Sequence, residues 1–522
     1  MDITNGFIRW SVKARYDVPT PKIHSKIKVS VGSKNFPKII FRIILTWQPV
    51  FMISQVWARL EYHLRTSTLG KVVIFYGITG FQGRCFLINI SHINSHLDNN
   101  QMHKIKKKYV LSYVGLLFFW LSLLGCTTTP APITEKSGDY DFAQLLETIR
   151  QKEKLPALAA SVIINGNIYA KAAVGTREYG TDNWVTSDDK FLIGSCGKAF
   201  TATLAAILIE EGHLKWDTTL RDVFPDLEMH PKWENITIQQ LLSNRSGYAD
   251  DNKTGLLPLE DIEDFWNLNK PPMDLRFIYL KRAINHKPNH PPDKVVIYAN
   301  TGFLIAGVML EKIKKQSFEE LMDKKIFQPL KLNSAGYGSP AAKDPISQPH
   351  GHSKNDSYTA IRQDQPDFIA PMGNVAINID DWSKFILFHL KAYQGTNKSL
   401  LESTTLDRMH MPPNSAGWDW VSQLSFFNSW LLKVSCNLDV TSLNYALGWN
   451  TQKKNDGNYM LWHDGQGSSF TARVQADPIT KNAVLLVTNA RVDHLHLLKA
   501  AKAIKKYYAS QANLPIINIF WD

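Results

Sequence analysis

With 522 residues, a hydrophobic fraction of 44% and a charged fraction of 20%, the chain has the makings of one large or two ordinary globular domains. Its formal net charge of +12 does not point to nucleic acid, because the basicity is gathered at one end. Residues 1–101 hold 13 Lys/Arg against 4 Asp/Glu, and Lys104, Lys106, Lys107 and Lys108 follow directly. The rest of the chain is close to neutral and gives no electrostatic footprint for phosphate. The four cysteines, Cys85, Cys126, Cys196 and Cys436, form no C-x-x-C pair and no zinc-like spacing. Neither a disulfide framework nor a metal site is indicated, and no cofactor is expected.

In chain order, residues 1–101 show no sustained period of 3.6 or 2. They are expected to be a non-native or disordered upstream extension, with Met102 as the true start; the rival is a genuine cytoplasmic or membrane-associated extension. Residues 102–125 have the layout of an export signal: a basic stretch, an apolar run over 109–125, then "LLGC". "LLGC" resembles a bacterial lipobox, which would make Cys126 a lipid-carrying N-terminus; the alternative is a plain transmembrane anchor. The implied location is the bacterial cell envelope, lipid-anchored at the periplasmic face of the outer membrane. Residues 126–141 are polar and proline-bearing, suiting a flexible tether.

The domain proper is expected over 142–512. A short helix over 141–154 precedes "ALAASVIINGNIYAKAAVG", which alternates around Asn165-Gly166 as a hairpin does. A helix is expected over 199–211, with Gly212 as its stop. The stretch 220–432 mixes helical segments with proline-rich loops. Near the C-terminus "NYMLWHDG", "SSFTARVQAD" and "NAVLLVTNA" read as strands, and residues 493–510 as an amphipathic helix. Strands at both ends and helices between give an α/β fold. One antiparallel sheet, five-stranded in type, is built from both termini and flanked by helices, with a mainly helical lobe inserted at 220–432.

Three S-x-x-K matches occur, at Ser25, Ser187 and Ser195. Only "SCGK" opens an apolar helix, placing Ser195 and Lys198 on one face. There the helix dipole favours developing negative charge, and a lysine walled in by apolar groups could accept the serine proton. Further on, "YAN" carries Tyr298 and Asn300, and "HDG" carries His463 and Gly465 at the end of an expected strand.

Taken in order, S-x-x-K, Y-x-N and [K/H]-x-G resemble the serine β-lactamase and penicillin-binding superfamily, in its class C-like branch. Segments such as "ITIQQLLSNRSG", "PMGNVAINIDDWSKF" and "YALGW" look like that branch's recurrent stretches. The resemblance implies a β-lactamase/transpeptidase-like fold, with Ser195 as the nucleophile of an acyl-enzyme and Lys198 and Tyr298 sharing its proton traffic. It also implies that Asn300 holds Lys198 and the substrate amide, that His463 and Gly465 edge the site, and that the backbone N–H groups of Ser195 and Gln466 hold the oxyanion. Which of Lys198 and Tyr298 is the base stays open. "KSG" at Lys136 and "KTG" at Lys253 match the third motif literally but lack its strand context.

The histidine of H-D-G is the pattern of carboxypeptidases and esterases more than of class C β-lactamases, which usually carry K-T-G. It would grip a substrate carboxylate less firmly than lysine. The expected substrates are small molecules or peptides: D-alanyl peptides of peptidoglycan, β-lactams, or simple esters and amides. The alternatives to an envelope hydrolase are a class C-like β-lactamase and a non-hydrolytic penicillin-binding sensor. Cys196 reads as a buried small hydrophobe, "HKPNH", "HGH" and "HLH" as surface loops or a helix face, and the tryptophans of 418–432 as cleft-lining or packing residues.

Overall fold

The computed structural model describes the backbone of strands between residues 9 and 94. From 140 to 509 it describes all but 249–266, 355–356, 364, 392–399, 414–416, 419–442 and 468. Cys126, the signal-like segment, the tether up to residue 139, Lys136, Lys253 and the tryptophans after 418 lie outside the described residues. The chain divides into Met1–Thr129 and Pro130–Asp522. In the first unit seven strands form one sheet, six of them in sequential order from Arg9–Val12 to Arg84–Asn89. Runs such as Ile39–Val50 are rich in the β-branched and aromatic residues that favour extended chain, although they do not alternate.

In the second unit, β1 (Ala157–Ile164) and β2 (Asn167–Gly175) form the expected hairpin. Asn165 and Gly166 both take positive φ, 51° and 75°, as the two-residue turn requires. The C-terminal strands are β3 (Leu443–Tyr445), β4 (Asn450–Lys453), β5 (Tyr459–Gln466), β6 (Thr471–Asp477) and β7 (Asn482–Thr488). Their order in the sheet is β3-β4-β5-β6-β7-β1-β2, antiparallel throughout. β7 closes the chain's two ends, setting Leu485 opposite Ser161. The sheet thus has seven strands among the described residues rather than five. The extra pair, β3 and β4, comes from a stretch too short and too broken by Gly448 to alternate.

Both faces of the central strands are buried, so β1 reads as a continuous apolar run. Its odd residues Ala157, Ala159 and Ile163 join the larger core, while Leu158, Ala160, Val162 and Ile164 join the smaller one. The smaller core is closed by α1 (Tyr140–Glu153) and α5 (His494–Ala509). The larger contains α2 (Lys198–Glu210), α3 (Asn300–Lys314) and α4 (Ile379–His389), the last two belonging to the inserted lobe. α2 stops where expected: Gly212 takes φ 78°, and the His213 amide donates to the Leu208 carbonyl at 3.0 Å.

Candidate active site

Ser195 does not sit in α2 itself but in a 3-10 turn, Gly194–Gly197, that feeds it. Ser195 is half-buried, whereas Gly194, Cys196, Gly197 and Lys198 are buried, so the serine is the one point of this turn that faces outward. The turn lies against β5 because two glycines allow it. A Cβ on Gly465 would stand 1.9 Å from the Ile193 carbonyl oxygen, and one on Gly194 would stand 2.6 Å from the Gln466 nitrogen. Gly194 also takes φ 50°, in the region that disfavours side chains. Gly465 therefore serves as the point of close backbone approach, bringing the Gln466 amide to the serine turn. The Gln466 side chain turns away and donates to the Val492 carbonyl at 2.7 Å.

Lys198 is fully buried, and its Nζ lies 2.9 Å from Ser195 Oγ, 2.8 Å from Asn300 Oδ1 and 2.7 Å from the Met372 carbonyl oxygen. The same nitrogen stands 4.9 Å from the ring centre of Tyr298 and 5.4 Å from that of Phe303. Tyr298 and Asn300 are held by the loop after Leu242. The Ile297 amide donates to the Asn244 carbonyl and the Ala299 amide to Asn244 Oδ1, at 2.8 and 3.1 Å. These two bonds bracket Tyr298. Asn244 takes φ 57°, a conformation asparagine tolerates better than most residues. Asn300 then opens α3.

His463 arrives on β5 but not as an open edge group. It is 1% exposed; its Nδ1 lies 2.7 Å from the Asp464 carbonyl oxygen and its Nε2 3.1 Å from the Tyr445 hydroxyl. Burial, with Lys198 next in effect, pushes its pKa down to about 3. The imidazole is neutral and engaged at both nitrogens, by the Asp464 carbonyl and the Tyr445 hydroxyl. The neighbouring Asp464 carboxylate is taken up by Arg473 Nη1 at 2.7 and 2.8 Å.

The fold therefore brings Ser195, Lys198, Tyr298, Asn300, His463, Gly465 and Gln466 into one place from three distant stretches. Sequence reading did not single out the Met372 carbonyl, the Phe303 ring or Tyr445, although "PMGNV" and "YALGW" were the signals at hand. Cys196 is buried, burial raises its thiol pKa well above the ordinary value, and its Sγ lies 3.5 Å from the His463 carbonyl. "HGH" is not a surface loop: His350 and His352 are buried, and His352 bonds the Asn489 carbonyl at 2.7 Å and the Tyr179 amide at 3.0 Å. Among the described residues no group of three or more His, Cys, Asp or Glu is placed to hold a metal, and no helix is long and apolar enough to cross a membrane.

The family model described as Beta-lactamase matches residues 142–509. Penicillin-binding protein 4 of Amycolatopsis lactamdurans is 28% identical over 292 residues, 54% of this chain and 72% of that protein. A beta-lactamase of Escherichia coli (strain K12) is 26% identical over 287 residues, 54% of this chain and 68% of its own length. The solved structure of D-alanine carboxypeptidase AmpC from Burkholderia cenocepacia is similar with a TM-score of 0.52 at 17% identity, covering 70% of this chain and 97% of that one. At that identity the likeness speaks for the fold.

Proposed function

The chain belongs to the beta-lactamase family, and from that premise we propose that it is a serine hydrolase working through an acyl-enzyme on Ser195. The observation that carries the reading is the set of oxygens around Lys198 Nζ. Asn300 Oδ1 and the Met372 carbonyl oxygen can only accept, so each fixes one N–H. In the neutral amine this leaves the lone pair directed at Ser195 Oγ, 2.9 Å away. Lys198 is then placed to take the serine proton as Oγ attacks a carbonyl carbon. Tyr298, packed against the same nitrogen, is placed to relay that proton from Lys198 to the leaving group. The developing oxyanion is held by the Ser195 and Gln466 amides, which the two close-approach glycines bring to the same point. Water then attacks the acyl carbonyl and returns Ser195 to its free state.

The substrates are amides or esters of the envelope, D-alanyl peptides or esters among them. The H-D-G triplet in place of K-T-G supports these over the β-lactams of an efficient class C-like enzyme, and the neutral, buried His463 favours substrates whose grip does not depend on a carboxylate. The intact Ser195–Lys198–Asn300 bonding supports turnover over a merely binding role. The lipobox-like "LLGC" supports attachment to the envelope membrane through Cys126, at the periplasmic face of the outer membrane. Cys126→Ser should then move the protein from the membrane to the soluble fraction of cells.

Hydrolysis of a p-nitrophenyl ester, a D-alanyl-D-alanine peptide and nitrocefin by wild type and by Ser195→Ala tests the proposal. Turnover of the ester or the peptide that vanishes in the variant is the expected result. Rapid nitrocefin turnover with neither of the others would move the reading to a β-lactamase.

A further inference from the structure

The bond between Tyr445 and His463 links two residues that the chain supplies from different strands. The carbonyl oxygen of Asp464 can only accept, so His463 Nδ1 carries the ring hydrogen. In a neutral imidazole Nε2 is then bare, and the Tyr445 hydroxyl at 3.1 Å must be the donor. The tautomer is thereby fixed, and turning the ring would break two hydrogen bonds.

Tyr445 is suited to be a permanent donor. It is fully buried, and burial, reinforced by Tyr298, keeps its phenol protonated far into the alkaline range. Its own backbone is pinned: the Tyr445 amide donates to Asn444 Oδ1 at 2.8 Å, and Arg245 Nη2 donates to the same oxygen at 2.8 Å. Tyr298 rests on the joined pair. Its ring centre is 6.0 Å from that of Tyr445 at 77° and 6.0 Å from that of His463 at 53°. Lys198 is a further neighbour of Tyr298, its nitrogen 4.9 Å from the ring centre. A one-ångström drift in such a group is costly to catalysis.

We propose that Tyr445 is a positioning residue for acyl transfer at Ser195, its hydroxyl fixing the His463 imidazole and through it the Tyr298 ring beside Lys198. The proposal rests on the acyl-enzyme reading of this site. It goes beyond the three-motif pattern, in which "YALGW" has no assigned part.

Tyr445→Phe keeps the ring and removes only the hydroxyl. With a p-nitrophenyl ester, the pre-steady-state acylation rate should fall roughly tenfold while KM stays within about twofold. In histidine-labelled protein the Nε2 nitrogen resonance of His463 should move to the position of an acceptor without a hydrogen bond. His463→Gln, which removes the acceptor ring, reads the same link from its other side and serves should Tyr445→Phe fail to fold. The double variant should lose little more than either single one, as partners in one unit do. Wild-type acylation in Tyr445→Phe, or additive losses in the double variant, would overturn the role of Tyr445 and leave the acyl-enzyme reading standing. Absence of acylation in the wild type would overturn that reading itself.

Discussion

Two buried basic side chains in the same domain meet different company. Arg276, on the helix Pro272–Ile284, is fully buried, and its guanidinium reaches Glu311 on α3 at 2.6 Å and Glu319 at 2.9 Å. Glu311 Oε1 accepts in addition from the Phe318 amide. Two carboxylates fix the charge in place and join three helical segments of the lobe. Lys198 is equally buried, but a hydroxyl, an amide oxygen and a backbone carbonyl hold its nitrogen. Carboxylates stabilise a cation for good, whereas neutral oxygens support either protonation state and so let a proton come and go. One site is built to hold the lobe together, the other to react.

Exchanging each basic side chain for methionine should split these roles. Lys198→Met should lower acyl transfer by about 10²–10⁴-fold at a smaller cost in stability than Arg276→Met, because it strands neutral oxygens rather than carboxylates. Wild-type turnover in this variant would contradict the role given to the lysine. Arg276→Met should do the reverse. Leaving Glu311 buried and Glu319 half-buried without their cation should cost about 3–5 kcal/mol in urea unfolding, while the protein that remains folded keeps its turnover number. A large drop in turnover per folded molecule would mean that the two regions are not separable.

A smaller effect compares a histidine beside each kind of neighbourhood. His463 lies near Lys198, while His410 bonds His389 in the lobe at 3.0 Å, and burial pushes both to about 3. Their folded pKa values lie below the ordinary 6.5, so between about 3 and 6.5 the unfolded chain binds more protons. Their contribution to stability is complete above pH 6.5 and is lost as pH falls toward 3, by about 1.4 kcal/mol per unit for each histidine. Urea unfolding at pH 7 and pH 5 should show a smaller loss in His410→Gln than in wild type. Equal losses would show that His410 is not held neutral.

Where period and turn chemistry were local, the fold could be read directly. The β1–β2 hairpin rests on Asn165-Gly166, α2 ends before Gly212, β6 and β7 fall within the runs assigned to them, and β5 passes the end of its own by one residue. Ser195 and Lys198 could be paired because they lie three residues apart. Contacts set by sheet register could not be read so. Tyr445 meets His463 only because β3, β4 and β5 lie side by side, with Tyr445 opposite Asn450 and Asn450 opposite Trp462. No spacing in the chain announces that neighbourhood. Burial overturned the surface reading of the H-G-H pair, since a histidine's surroundings decide whether it is exposed or packed. The serine turn was taken for part of the helix because a 3-10 turn and an α-helix share the same apolar spacing over so few residues.

The most direct test of the account is the site of covalent attachment. The intact protein, treated with an activated ester or a penicillin and quenched in acid, should gain one acyl group, and peptide mapping should place it on Ser195. An adduct carried by another residue, or turnover of substrate that survives Ser195→Ala, would contradict it.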